Sequence, residues 1–167
     1  SRAAREALQR DRDYAAALRD FPWKLTFERM VIGFLDRNPG DFAGAICVLP
    51  PNLQMMFVHA YQSYLFNLIL SERMRRGIPL NAPIVGDVVL PADKDGNPDH
   101  DKQVPVTKTN LDLVERQVRD RRAFVSATLF GSESVLAEGE QGEIERAAIA
   151  KEGLSPKDFL VPAIPHC

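Results

Sequence analysis

The stretch Met55-Met56-Phe57-Val58-His59-Ala60-Tyr61-Gln62-Ser63-Tyr64-Leu65-Phe66-Asn67-Leu68-Ile69-Leu70 holds neither proline nor glycine, and its apolar residues recur at helical spacing. Advancing by about 100° per residue gathers Phe57, Val58, Tyr61, Tyr64, Leu65, Leu68 and Ile69 on one broad arc. Such a face calls for cover by preceding helices or a sheet. His59, Ser63 and Asn67 fall four residues apart on another stripe, flanked by Met56, Phe66 and Leu70. Buried polar groups cost about 1–3 kcal/mol each when unpaired. The stripe therefore either bonds across to the rest of the domain or meets a polar ligand. The helix ends in Arg73, Arg75 and Arg76, where cations complement the C-terminal dipole as a solvated end or contact a phosphate.

Working outward, the first half reads as helix: near 2–9, 12–19, 25–37 and 41–48, then 52–76 for the long helix itself. Phe21-Pro22, Asn38-Pro39-Gly40 and Pro50-Pro51 mark the borders, Asp41 can cap the fourth helix, and Gly77 with Pro79 closes the last. After residue 80 the pattern turns to short β-branched runs: Ile84-Val85 with Val88-Val89-Leu90, then 104–107, then 124–129. A helix over 110–121 separates the second and third strands. The tail predicts a helix near 141–152, a short one after Ser155-Pro156, and an extended Pro-rich end. The expected fold class is α+β, one domain over 1–167. Its helical N-terminal half packs on a small mixed or antiparallel sheet in the C-terminal half, with that sheet on the long helix.

The chain has 167 residues, 45% of them hydrophobic and 26% charged, enough to build a packed core and too apolar for disorder. Lys and Arg number 21 against 23 Asp and Glu, so charge alone points to neither a nucleic acid nor a membrane surface. The halves differ: residues 1–80 hold 11 basic and 8 acidic side chains. Apolar runs are too short for a membrane span. Cys47 and Cys167 stand 120 positions apart with no zinc or disulfide spacing, and Ser1 to Glu6 lack the features of a secretory signal or transit peptide, which together suit a reducing cytosol.

Other motifs are weaker. Asp93, Asp95, Asn97, Asp99, His100 and Asp101 crowd a polar loop, but calcium-loop spacing would need Gly and Glu where Pro98 and Val104 stand. The loop reads as a solvated hairpin tip. Glu133, Glu138, Glu140, Glu143 and Glu145 read as a solvated helix entry. No phosphate-loop, nucleophile-elbow or zinc-protease motif is present.

The twelve residues Met56 to Asn67 resemble the signature helix of the TruD family of tRNA pseudouridine synthases, in the form of its archaeal and eukaryotic branches. The likeness continues through Asn38-Pro39, Asp41-Phe42 and Leu49-Pro50 before the helix. After it come Val85-Gly86-Asp87, Val106-Thr107 with Asn110, and Gly139-Glu140-Gln141-Gly142-Glu143-Ile144-Glu145. The family's nucleophilic aspartate lies in a Gly-x-Lys-Asp-x-x-Ala element that this sequence lacks. Lys94-Asp95 has Ala92 and Pro98 at the Gly and Ala positions, and Lys157-Asp158 has Ser155 and Val161. The start in an Ala/Arg-rich helix and the stop at His166-Cys167 read as truncated. The resemblance thus implies an inserted domain taken from between two halves of a catalytic domain.

It further implies that the complete enzyme isomerises a uridine of tRNA to pseudouridine with no metal or redox cofactor. The target base must leave its stack, so RNA-holding surface is needed around the cleft. The expected partners are tRNA and the missing catalytic domain, with no membrane. The candidate RNA-binding residues are His59, Gln62, Ser63, Asn67, Arg73, Arg75 and Arg76, none of them catalytic. The competing reading is a helical protein–protein interaction domain whose His59 stripe is internal packing. A stand-alone hydrolase finds no nucleophile and base pair among His59, His100 and His166.

Overall fold

The structure, a computed structural model, describes residues 2–160; the expected Pro-rich extended end and Cys167 lie outside the described residues. The helices are α1 (Arg2–Asp11), α2 (Tyr14–Asp20), α3 (Thr26–Arg37), α4 (Phe42–Cys47), α5 (Pro51–Arg75), α6 (Leu111–Arg119) and α7 (Gly139–Lys151). The strands are β1 (Val88–Pro91), β2 (Val104–Pro105) and β3 (Ala123–Val125), and a 3-10 turn covers Pro156–Phe159. The class is α+β, with helices first and the sheet in the second half. The described residues divide into two compact units, the first running to His59 and the second spanning Ala60–Leu160.

The first unit is built from contacts between neighbouring helices, α1 with α2, α2 with α3 and α3 with α4. Ala4, Ala17, Phe21 and Ile32 form its core, with Leu8, Tyr14, Leu18 and Leu25 packed around them. Small alanines let the short helices approach closely. Their ends are closed by side chains: Asp13 accepts from the Ala16 amide and Asp41 from the Gly44 amide, each at 2.8 Å. The Arg29 guanidinium donates to the carbonyls of Leu18 and Phe21 at the end of α2. The Gln54 amide does the same for Cys47 and Leu49 after α4.

In the second unit β1 is central, in the order β2-β1-β3, and both pairings are antiparallel. Val89 stands opposite Val104 on one side and Val125 on the other. Beneath it Val89, Val106 and Val114 are buried with Leu111 and Val118. One apolar face of the sheet is therefore filled from α6. A second cluster joins Ile69 of α5, Ile78 and Ile144 of α7. Phe130 meets Phe159 edge to face with ring centroids 5.3 Å apart.

All three expected strands are shorter than their β-branched runs, β2 keeping only Val104–Pro105 of 104–107. Ile84 and Val85 do not enter the ladder, because Asp87 folds back on them: its carboxylate accepts from the Ile84 amide and its own amide donates to the Ile84 carbonyl. In the third run pairing continues one residue past β3, where the Ser126 amide donates to the Val88 carbonyl, and Ala127 to Leu129 leave the sheet. Asn110 shapes the entry to α6 by accepting from the Thr107 amide at 2.7 Å and donating to the Pro105 carbonyl at 3.0 Å.

Candidate nucleic-acid interface

Helix α5 carries every residue expected to meet RNA except Arg76, which follows its end, and it is apolar on most of its circumference. A helix of that kind cannot choose its buried side by composition. Leu65 and Ile69 are fully buried, but Phe57, Tyr61 and Tyr64, expected on the same covered arc, are exposed. The arc was drawn too wide. The buried line advances by fours from Leu65 to Ile69 and then to Arg73.

Arg73 is the residue the structure moves furthest from its expected place. Its Nη1 and Nη2 donate to the two carboxylate oxygens of Asp87 at 2.7 and 2.8 Å. Nη1 also reaches Gln141 Oε1 at 2.8 Å, and Nε and Nη2 donate to the Pro79 carbonyl at 3.1 and 2.9 Å. The side chains of Arg73 and Asp87 are 4% and 0% exposed. A guanidinium so engaged offers no donor to an outside phosphate, so Arg73 is a structural cation and leaves the set of RNA contacts. Gln141 passes the network on by donating to Glu145 at 2.9 Å, whose other oxygen accepts from the Ala137 amide at 2.8 Å. Among the described residues no buried side-chain nitrogen or oxygen is left without a partner.

This network explains the downstream motifs. Gly86 holds φ +101°, and a Cβ there would lie 2.3 Å from the Glu138 carbonyl oxygen. The two strands of chain bond at that point, Glu138 amide to Gly86 carbonyl at 2.9 Å. A Cβ on Gly142 would stand 2.0 Å from the Ala137 carbonyl oxygen. Gly86-Asp87 and Gly139 to Glu145 are thus two halves of one buried joint. Periodicity alone did not reveal Asp87, Gln141 and Glu145; the available signal was that Arg73 continues the Leu65–Ile69 spacing.

The remaining expected contacts lie at the surface or close to it. His59 is exposed in the first unit. In the second, Ser63 and Asn67 are exposed, and half-buried Gln62 donates to the Phe130 carbonyl at 3.0 Å. Arg75 donates from Nε and Nη2 to the two oxygens of Glu72, each at 2.7 Å, while Arg76 reaches the same carboxylate at 2.9 Å. The two guanidinium bonds, Arg75's the larger, lower the Glu72 pKa from 4.5 to about 2. Arg76 also stands 3.6 Å from Glu140 and 3.9 Å from Glu143. Arg75 is the freer cation, its side chain 74% exposed.

Tyr61 and Tyr64 both donate to Glu152, at 3.2 and 3.3 Å, with ring centroids 5.8 Å apart. Desolvation, followed by the bond to Glu152, raises the Tyr61 pKa; for Tyr64 the Glu152 charge is the larger cause. The acidic loop uses its carboxylates on itself. Asp93 accepts from the Asp95 and Asn97 amides, and Asp99 pairs with Lys102 at 2.7 Å. Among the described residues no helix is long and apolar enough to cross a membrane.

The sequence profile described as "tRNA pseudouridine synthase D (TruD)" matches residues 1–167. A relative named for tRNA pseudouridine synthase D in Natronomonas pharaonis is 47% identical over 161 residues, covering 95% of this chain and 37% of that protein. Another in Methanococcoides burtonii is 42% identical, covering 92% of the chain and 35% of the protein. A crystal structure titled for TruD of Methanosarcina mazei superposes with a TM-score of 0.91 at 37% identity, over 98% of this chain and 37% of that one. The chain thus spans little more than a third of the length of the proteins it matches.

Proposed function

The chain belongs to the tRNA pseudouridine synthase D family, and on that premise we propose that it is an RNA-holding part of a synthase whose nucleophilic aspartate lies in polypeptide outside these residues. The observation that carries the reading is the profile match over the whole chain, in a sequence without the Gly-x-Lys-Asp-x-x-Ala element. The task of the chain is then to grip the tRNA while an aspartate elsewhere attacks the uridine, the fold acting as an inserted domain of the synthase.

His59, Gln62, Ser63 and Asn67 on α5, with Arg75 and Arg76 at its end, are the RNA contacts of this reading. The polar side chains hydrogen-bond ribose and base edges and the guanidinium groups meet phosphates. The whole enzyme would work on tRNA in the cytoplasm, with its catalytic part as the second partner.

The test is tRNA retardation by the 167-residue chain at low and high salt, with a parallel assay for pseudouridine. The expected result is weak binding that fades as salt rises and no conversion of uridine. The informative variant is the double Arg75→Ala, Arg76→Ala; Arg73 is left alone because its loss damages the fold. Conversion by the chain alone refutes the missing nucleophile. Salt-independent retardation unchanged in the double variant favours a protein-docking domain.

A further inference from the structure

Helices α5, α6 and α7 close their C-terminal ends with the same pair of backbone bonds. After α5 the Gly77 amide donates to the Met74 carbonyl at 3.0 Å and the Ile78 amide to the Arg73 carbonyl at 3.1 Å. After α7 Gly153 and Leu154 reach Ala150 and Ile149 at 3.1 and 3.2 Å, and after α6 Arg121 and Arg122 reach Val118 and Gln117 at 3.1 and 2.7 Å. This closure forces one residue into the left-handed region, which glycine enters without penalty. Gly77 and Gly153 do so at φ +72° and +67°, but the α6 position, at φ +57°, is Arg121. A side chain there crowds the following carbonyl. A third glycine would serve the fold better, so the worth of the arginine lies outside the fold.

Arg121 is not alone at this corner. Arg116, Arg119 and Arg122 are exposed with it, and among the described residues none of the four guanidinium groups is in ion-pair contact with a carboxylate. Arg116 alone makes a side-chain bond, from Nε to the Asp112 carbonyl at 3.2 Å. The arginines that end α5 differ, since Arg75 and Arg76 are spent on Glu72. The neighbouring carboxylates are Asp112, Glu115 and Asp120, and from Lys108 to Arg122 five cations stand against these three in a chain of net charge −2. In the adjoining acidic loop Asp93 is taken up by the Asp95 and Asn97 amides and Asp99 by Lys102. The corner is also held rigidly: Val114 and Val118 pack α6 against Val89 and Val106, and the Arg122 carbonyl accepts from the Ala92 amide at 2.8 Å.

Resting on the RNA-holding reading above, we infer that the C-terminal corner of α6 is a second contact for the tRNA backbone, with Arg119, Arg121 and Arg122 meeting phosphates. Unpaired guanidinium groups suit a phosphate, which each can grip through two parallel bonds. A protein partner calls for aromatic or aliphatic anchors at the centre of the contact. The one large apolar side chain exposed on α6 is Leu113, about two turns before the corner.

The test is tRNA retardation by the full 167-residue chain across a salt series, with urea unfolding of every variant. Arg121→Gly is the deciding substitution, because it should raise the urea midpoint while weakening tRNA binding severalfold. Arg119→Ala and Arg122→Ala should each weaken binding severalfold, and each of the three should make the slope of log K against log salt shallower by about 0.7–0.9. Lys157→Ala, which removes an exposed charge from the 3-10 turn, is the control and should change binding less than about twofold. A lowered urea midpoint in Arg121→Gly makes the side chain structural and overturns the site. So does tRNA binding that the corner variants weaken no more than Lys157→Ala does; the RNA-holding reading then stands on α5. Competition by polyglutamate as strong as by unlabelled tRNA overturns the site in favour of an acidic protein partner. A chain that retains no tRNA at any salt removes the parent reading and this site together.

Discussion

Arg73 and Asp87 meet through two parallel hydrogen bonds of 2.7 and 2.8 Å, fourteen positions apart in sequence and both shut away from water. The bidentate geometry and the additional acceptors at Pro79 and Gln141 satisfy the guanidinium inside the protein. Removing one partner leaves an uncompensated buried charge. Arg73→Met is therefore expected to destabilise the second unit by about 3–5 kcal/mol, measured by urea unfolding. Arg73→Met combined with Asp87→Asn should cost clearly less than the sum of the two, because the second change relieves the charge the first exposes. Strict additivity would mean the two side chains do not act as a pair.

Gly86 should tolerate no side chain. Its φ of +101° and the 2.3 Å separation of a would-be Cβ from the Glu138 carbonyl oxygen act together, so Gly86→Ala is expected to cost about 2 kcal/mol or more in chemical denaturation. Gly96, at φ +84° with nothing near its Cβ, carries the backbone penalty alone. The alanine variant there should lose about 1 kcal/mol. Equal losses would remove the close approach from the account.

Glu72 should remain ionised in unusually acidic solution. Its folded-state pKa of about 2 lies below the ordinary 4.5, so the stabilisation it provides is present above the ordinary value. It is lost as pH falls through about 2. Following the carboxyl carbon by NMR, the expected midpoint in the wild type is well below that in Arg75→Ala, which should rise toward 4.5. An unchanged midpoint would separate Glu72 from Arg75 in solution.

The two phenols bound to Glu152 should titrate above their usual pKa of 10. Glu152→Gln removes the charge that most opposes ionisation of Tyr64, so the ultraviolet titration of that ring should move down toward 10. Tyr61 should shift less, because desolvation is its first cause. A titration curve that the substitution leaves in place would show the bonds are absent in water.

Much of this fold can be read from local chemistry. Asp41 as a cap, Asn38-Pro39-Gly40 as a stop and the short helix after Ser155-Pro156 all follow from residues that act on their own backbone. Tertiary choices were harder. The strand run beginning at Ile84 was overruled by a single carboxylate, Asp87, folding onto it. On α5 the apolar residues surround the axis, so spacing could show that it is a helix without showing which line is buried. The three terminal arginines look alike in composition, yet only Arg73 falls eight residues after Leu65 on the covered line. Reading the arginines by helical phase would have separated it from Arg75. The Tyr61–Tyr64–Glu152 contact joins positions about 90 residues apart, and no local pattern announces it.

The joint around Arg73 also sets an order of events during synthesis. The early helices bond to their sequence neighbours and can assemble as they appear. Arg73 must wait for Gln141 and Glu145, and at about 5–20 residues per second that delay lasts several seconds. Through that interval Ile69 is without its eventual neighbour Ile144 of α7, and the growing chain is most exposed to premature association.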